Sequence, residues 1–357
     1  MDLIASRAGR LGRILLNRPQ ALNTLTLPLV REFRRALDQF GADDGVSAAL
    51  VTGAGARGLC AGGDVRFLYE LDASQKLLFA DFWREEYELN ARIASFPKPY
   101  VVIMDGIVMG GGVGISAHGN RRITTERSRI AMPEVGIGFF PDVGASWLLS
   151  RAGAVGLYMA LSAASVTAAD VIDAGLADLM IHSRDIERLI EELSTIERAE
   201  DVDRTLRRFA RQPGASMLSS CPRLLAEGAA HETVADVIAA FAREGSEFSL
   251  RAAEEIRSKS PTALKVTRAL LQRAARAPDL ETCLTNEFKA ACRMLETHDL
   301  YEGIRAAIID KDRRPKWSPD RLDAVSDEAV EDILAGDGTA PPTFKNWNSS
   351  PYSRWES

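Results

Sequence analysis

Apolar and polar positions follow two rhythms along the chain. In the first third, the short apolar runs RILLN (13–17) and SAALVTG (47–53) read as buried strands. Between them, TLPLVREFRRALDQF (26–40) repeats its apolar residues every three or four positions, the period of an amphipathic helix. Residues 75–96 keep the helical period until Pro97 and Pro99 end it. PYVVIMDG (99–106) and RRITT (121–125) predict further strands, separated by a glycine cluster and a short helix, GGVGISAHG. Strands alternating with helices predict an α/β fold with largely parallel pairing.

From about residue 144 the helical period takes over. It predicts helices at 145–152, 167–174, 185–197, 201–211, 232–243, 263–275, 280–296 and 300–309. The expected division is an α/β core over 1–180, a helical region over 181–335 and an irregular tail over 336–357, rich in Gly, Pro, Asn and Ser. No internal repeat interrupts this order.

Composition narrows the function classes. The chain has 357 residues, 46% hydrophobic and 26% charged, the balance of a globular protein with ample core. A net charge of −6 argues against a nucleic-acid partner, which calls for a basic patch or stripe. The four cysteines, Cys60, Cys221, Cys283 and Cys292, have no CxxC spacing, so neither a zinc site nor a disulfide framework is expected. No stretch approaches the ~20 apolar residues of a membrane span. The first residues lack the apolar run of a signal peptide. A cytoplasmic protein with no membrane partner is expected.

Glycines mark the first candidate chemistry. Gly53-Ala-Gly55-Ala-Arg-Gly58 matches the dinucleotide pattern GxGxxG after a strand, but LCAGGD follows where a helix should open. Two other clusters, Ala61-Gly62-Gly63-Asp64 and Gly110-Gly111-Gly112, each precede a helical pattern. Glycine lets backbone N–H groups approach a ligand closely, and N–H groups at a helix start favour an anion. Both clusters also fit tight turns between closely packed elements.

MPEVGIGFFPDVG (132–144) places Glu134 and Asp142 among Gly, Pro, Phe and Val. Carboxylates in such company lose solvation, and their proton affinity rises. Glu134 after Pro133 also fits a helix N-terminal acid, and Asp142 before a helix also fits an N-cap. His118, at a helix end, reads as a capping or packing residue. Neither a GxSxG elbow nor a metal-ligand cluster appears, and no metal or separate cofactor is expected.

In this order, CAGGD, PYVVIMDGIVMGGGVG and AMPEVGIGFFPDVG resemble the crotonase (enoyl-CoA hydratase/isomerase) superfamily, from NRPQALNTL to about residue 320. The resemblance implies a spiral of ββα turns with a helical C-terminal region, and an acyl-CoA thioester as substrate, CoA being part of that substrate. It implies that the amides of Gly63 and Gly111 form an oxyanion hole. Hydratases of the superfamily commonly carry one acid just after the glycine triplet and a second in the PE motif. Here the first position is Gly114 and the second is Glu134.

GGGVGISAHG, AMPEVGIGFFPDVG, REEYELN and HDLYEGIRAAIIDKDRRPKW resemble one branch, the 3-hydroxyisobutyryl-CoA hydrolases of valine breakdown. By that resemblance Glu134 either activates water or attacks the thioester, and Asp142 binds the 3-hydroxyl or positions water. Glu86 lines the site, although its charged helix also fits a solvated face. Arg57 and Lys311 resemble positions that meet CoA phosphates, and both also fit surface charges. The alternatives are an enoyl-CoA hydratase/isomerase, or a non-catalytic CoA- or RNA-binding homologue. Superfamily members often assemble as trimers or hexamers, so the resemblance allows a homo-oligomer.

Overall fold

The computed structural model describes residues 1–71, 75–345 and 347. Among the described residues, nine strands form two sheets. β1 (Leu3–Ala8) and β2 (Leu11–Leu16) make an antiparallel hairpin, and α1 (Leu27–Ala42) follows. Next come β3 (Ala48–Gly53), β4 (Gly58–Cys60), α2 (Val65–Glu70) and α3 (Lys76–Ala94). β5 (Tyr100–Met104), β6 (Ile107–Met109) and α4 (Gly111–Ala117) form the next turn of the spiral. β7 (Arg121–Thr125) and β8 (Arg129–Ala131) lead to α5 (Ala145–Arg151), α6 (Gly153–Ser162), α7 (Ala168–Asp173) and the edge strand β9 (Leu179–Ile181).

The larger sheet has the order β1-β2-β3-β5-β7-β9, and the smaller has β4-β6-β8. Every pair except β1–β2 is parallel. Each ββα turn therefore gives one strand to each sheet. The sequence sets this up, because β5 and β7 are buried along their whole length, as parallel strands covered on both faces must be. Alternate side chains divide between two cores: Ala49, Val51, Val102 and Met104 join the main one, while Ala48, Leu50, Val101 and Ile103 face the other way.

That second face is covered by α8 (Ile186–Ser194) and α9 (Glu200–Phe209). The remaining helices are α10 (Pro222–Ala229), α11 (Val234–Glu244), α12 (Glu247–Arg257), α13 (Pro261–Ala274), α14 (Leu280–Met294), α15 (His298–Ile304) and α16 (Asp327–Ala335). A π-helical turn, Arg305–Ile309, continues α15 where one longer helix was expected. The apolar cluster containing Leu3 runs unbroken to Leu334. Among the described residues, no helix is long and apolar enough to cross a membrane.

Several elements escape the sequence pattern. β1 is an edge strand with four exposed residues in its middle, so it shows no apolar run. α6 is buried on nearly every side and lacks an amphipathic period. Gly58 opens a strand rather than a helix, and a Cβ there would collide with the backbone of Ile107. The GxGxxG stretch is thus a tight strand connection. Residues 336–345 contain no helix or strand, and they return to α3: Arg84 Nε donates to the Ala340 carbonyl at 3.1 Å, and Thr343 N to Glu88 at 3.0 Å. Most of the tail beyond 345 lies outside the described residues.

Candidate active site

Two glycine loops meet between the sheets and the helices. The first leaves β4 at Cys60 and passes through Gly62, whose φ of 106° only glycine adopts freely. The second leaves β6 and turns at Gly110 (φ 51°, ψ −122°) into α4. Their contact is close: a Cβ on Gly111 would lie 3.4 Å from Gly63 N, and one on Gly62 would lie 3.5 Å from Gly111 N. The Gly63 and Gly111 amides are therefore neighbours. Neither donates a hydrogen bond among the described residues. Gly111 opens α4, where the first N–H groups have no partner within the helix. A paired, unengaged set of amides offers an anionic oxygen two donors.

Three carboxyl groups surround this point, each from a different element. Glu134 follows β8 and opens a 3-10 turn, Glu134–Ile137, as a first-turn acid. It is only 6% exposed, and its Oε1 lies 2.8 Å from where a Gly110 Cβ would stand. Asp142 is also buried, but it is not an N-cap. Gly144 holds that position on α5, and the Asp142 carboxylate accepts instead from Tyr87 Oη at 2.7 Å. Glu86 is 2% exposed and lies directly against Gly111, so the solvated-face alternative fails. Among the described residues, Glu86 Oε1 and Glu134 Oε2 have no hydrogen-bond partner.

None of the three acids is ion-paired among the described residues. Burial, then the nearby Asp142 and Glu134 charges, holds Glu86 well above the usual carboxylate range. Burial and Asp142 do the same for Glu134. Asp142 is pushed up to about 7 by burial, against the lowering effect of the Tyr87 hydrogen bond. An acid held near 7, as Asp142 is, can take up and give back protons at ordinary pH, and it lies here with two further buried acids and two unengaged amides.

The other named positions fall elsewhere. Arg57 is exposed, and its guanidinium donates to the carbonyls of Pro19 and Gln20, the latter at 3.1 Å. Lys311 is exposed two residues beyond the Arg305–Ile309 turn, at φ 59°. That turn is tied to α2 by Arg66, which donates to the Ile308 carbonyl at 3.0 Å. His118 is buried at the end of α4, and its Nε2–H donates to the Val143 carbonyl at 2.7 Å. It packs and braces, as its place in the sequence suggested.

Two residues on α3 escaped the sequence reading. Tyr87 is one. The other is Asn90, which is fully buried and whose two amide atoms have no hydrogen-bond partner among the described residues. A Cβ on Gly114 would lie 2.9 Å from Asn90 Nδ2 and 2.7 Å from Val143 Cβ. Asn90 and Val143 thus fill the space into which a longer residue at position 114 would extend. An aromatic stack, Trp83 on Phe139 at 5.1 Å and Phe139 on Phe140 at 4.4 Å, links α3 to the stretch between Glu134 and Asp142.

The enoyl-CoA hydratase/isomerase family model matches residues 11–334. The chain belongs to this family. Among family members, the mitochondrial 3-hydroxyisobutyryl-CoA hydrolase of Rattus norvegicus is 38% identical over 96% of this chain and 91% of its own. The hydrolase of the same name from Danio rerio is 37% identical over 92% of this chain and 88% of its own. A carnitinyl-CoA dehydratase from Mycobacterium thermoresistibile is 43% identical and superposes with a TM-score of 0.91, covering 96% of this chain and 99% of its own. An enoyl-CoA hydratase from Rhodobacter sphaeroides 2.4.1 gives 36% identity and a TM-score of 0.87, over 96% and 100%.

Proposed function

We propose that the chain is a thioester hydrolase that cleaves 3-hydroxyisobutyryl-CoA to 3-hydroxyisobutyrate and CoA, a step of valine breakdown. The carrying observation is the filled space at Gly114 beside a site that keeps its anion hole and its other acids. Adding water across a double bond calls for two acids at the acyl chain, and here Asn90 and Val143 close the place of one of them. Hydrolases at 37–38% identity over nearly the whole chain support the same reading.

The chemistry follows from the cluster. The thioester carbonyl oxygen lies against the Gly63 and Gly111 amides, which stabilise the oxyanion as the tetrahedral intermediate forms. Glu134 either removes a proton from the attacking water or attacks the carbonyl itself, and must be ionised for both. When water attacks, its oxygen forms the new C–O bond as the C–S bond breaks, and the proton that Glu134 took passes to the departing CoA thiolate. When Glu134 attacks, its carboxylate displaces the thiolate to form an anhydride, which water then hydrolyses, a proton of that water going to the thiolate. Asp142 accepts from the 3-hydroxyl or positions the water. A site that bonds a hydroxyl rejects analogues without it, so isobutyryl-CoA is a poor substrate. Lys311 and Arg57 lie at the surface, where the CoA phosphates would run.

Hydratase or dehydratase activity is the second reading, favoured by the names of the two solved structures. Supplying 3-hydroxyisobutyryl-CoA and following free thiol separates the two. Thiol release supports hydrolysis. Loss of enoyl absorbance from crotonyl-CoA without thiol release overturns it.

A further inference from the structure

Asp142 leads into a turn that the chain does not adopt freely. Val143, fully buried and β-branched, has φ 56°, and Gly144 follows at φ 78°. A β-branched residue in the left-handed region persists only where its surroundings over-determine it. Two of those surroundings belong to the site already described: Tyr87 on the Asp142 carboxylate and His118 on the Val143 carbonyl. The third is Glu287 of α14, fully buried and 143 residues from Gly144 in sequence. Its carboxylate accepts from Gly144 N at 2.6 Å, from Ser146 N at 2.9 Å, and from the Ser146 hydroxyl.

The amides that open a helix are ordinarily met by a local Ser, Thr, Asp or Asn side chain. α5 has a glycine there and takes its acceptor from a distant helix instead. We propose that Glu287 is a positioning residue: through the Gly144 and Ser146 amides it locks the Asp142–Val143–Gly144 turn and so fixes the direction of the Asp142 carboxylate. This rests on the hydrolase reading above. Glu287 faces Asp142, Tyr87 and Cys283, while Asp142 itself faces Glu86, Glu134 and Tyr87. Arg84 lies over the ring of Phe288, the next residue on α14.

The test is a double-mutant cycle. Glu287→Gln keeps the shape but places an NH2 where an acceptor is required, so an amide contact is lost in either orientation. Tyr87→Phe loosens the same carboxylate from the opposite side. With 3-hydroxyisobutyryl-CoA, each single variant lowers kcat about 10- to 100-fold with KM nearly unchanged. If both act on Asp142, the double variant is little worse than either single one. Additive losses, an unchanged kcat in Glu287→Gln, or a fall in kcat that tracks loss of thermal stability each overturn the proposal. A wild-type protein that releases no thiol would sink the hydrolase reading alone. The same cycle is then read on the Asp142 carboxyl titration by 13C NMR, where additive shifts overturn the positioning role.

Discussion

Tyr87 donates its phenolic proton to Asp142 across 2.7 Å, and both groups are buried. The tyrosine comes from the middle of α3, and the aspartate from the loop before α5. A hydrogen bond to the ionised form favours it, while burial disfavours it. The opposition leaves Asp142 at about 7, where a carboxyl exchanges protons at physiological pH.

Removing that bond has a signed consequence. Tyr87→Phe leaves a buried carboxylate without its donor, so Asp142 holds its proton to still higher pH. If Asp142 acts ionised, activity at pH 7 falls about 10-fold, and the acid limb of kcat/KM against pH moves upward. A full pH profile on wild type and variant measures it. A limb that stays in place detaches Asp142 from catalysis.

The chemistry on helices was more legible than it first looks. Along α3, the buried positions Phe79, Phe82, Glu86, Leu89 and Ile93 are spaced three and four apart, and Glu86 sits on that apolar stripe. α14 repeats the device with Leu280, Leu284, Glu287, Ala291 and Met294. A carboxylate on the inward stripe of a helix is a buried acid by geometry alone. The role of Asp142 was less legible, because its partner, Tyr87, is 55 residues away in sequence. Local rules suggested an N-cap, and a tertiary contact won instead. The parallel strands β2, β3 and β5 were read from their apolar runs, whereas the three-residue strands β4, β6, β8 and β9 are too short for a pattern, and the exposed edge strand β1 and the all-round apolar α6 gave no periodic signal.

Glu134→Gln separates catalysis from folding. The amide can neither remove a proton from water nor attack the thioester, so thiol release falls at least about 10³-fold. Affinity for the CoA ester stays near that of wild type, because the glycine amides and the surface are untouched. The variant also lacks a buried charge, so its folding stability at pH 8 rises by about 1–2 kcal/mol. Isothermal titration with the intact ester and thermal denaturation measure both. Normal turnover removes Glu134 from the mechanism.

The unliganded protein shows the same conflict as a pH dependence of stability. Glu86, Glu134 and Asp142 all hold their protons more tightly folded than unfolded. Between the unfolded carboxylate range, near about pH 4, and the raised folded values, the native state binds more protons than the unfolded state. Stability therefore falls as pH rises through that window, by up to about 1.4 kcal/mol per pH unit for each group titrating there. Denaturant midpoints should decline as pH rises from about 5 to 7, the Asp142 part of the decline being complete once pH passes its value of about 7. Glu86→Gln should flatten the decline. A midpoint that climbs across that range contradicts the raised proton affinities.

Restoring an acid at position 114 should not restore hydration. A side chain on Gly114 meets Val143 Cβ at 2.7 Å and Asn90 Nδ2 at 2.9 Å, and neither can swing away easily. Val143 is fixed by its left-handed backbone and by His118 on its carbonyl, and Asn90 is fully buried on α3. Gly114→Glu should therefore cost about 1–3 kcal/mol of stability as overpacking, with crotonyl-CoA left unhydrated. Opening the space with Asn90→Gly and Val143→Ala in the same chain gives the new carboxylate room to reach the acyl group. If slow loss of enoyl absorbance appears only in the triple variant, the filled space, and not just the missing acid, separates hydrolysis from hydration on this scaffold. Hydration by Gly114→Glu alone would mean that the space was never closed, and would remove the observation on which the hydrolase reading leans most.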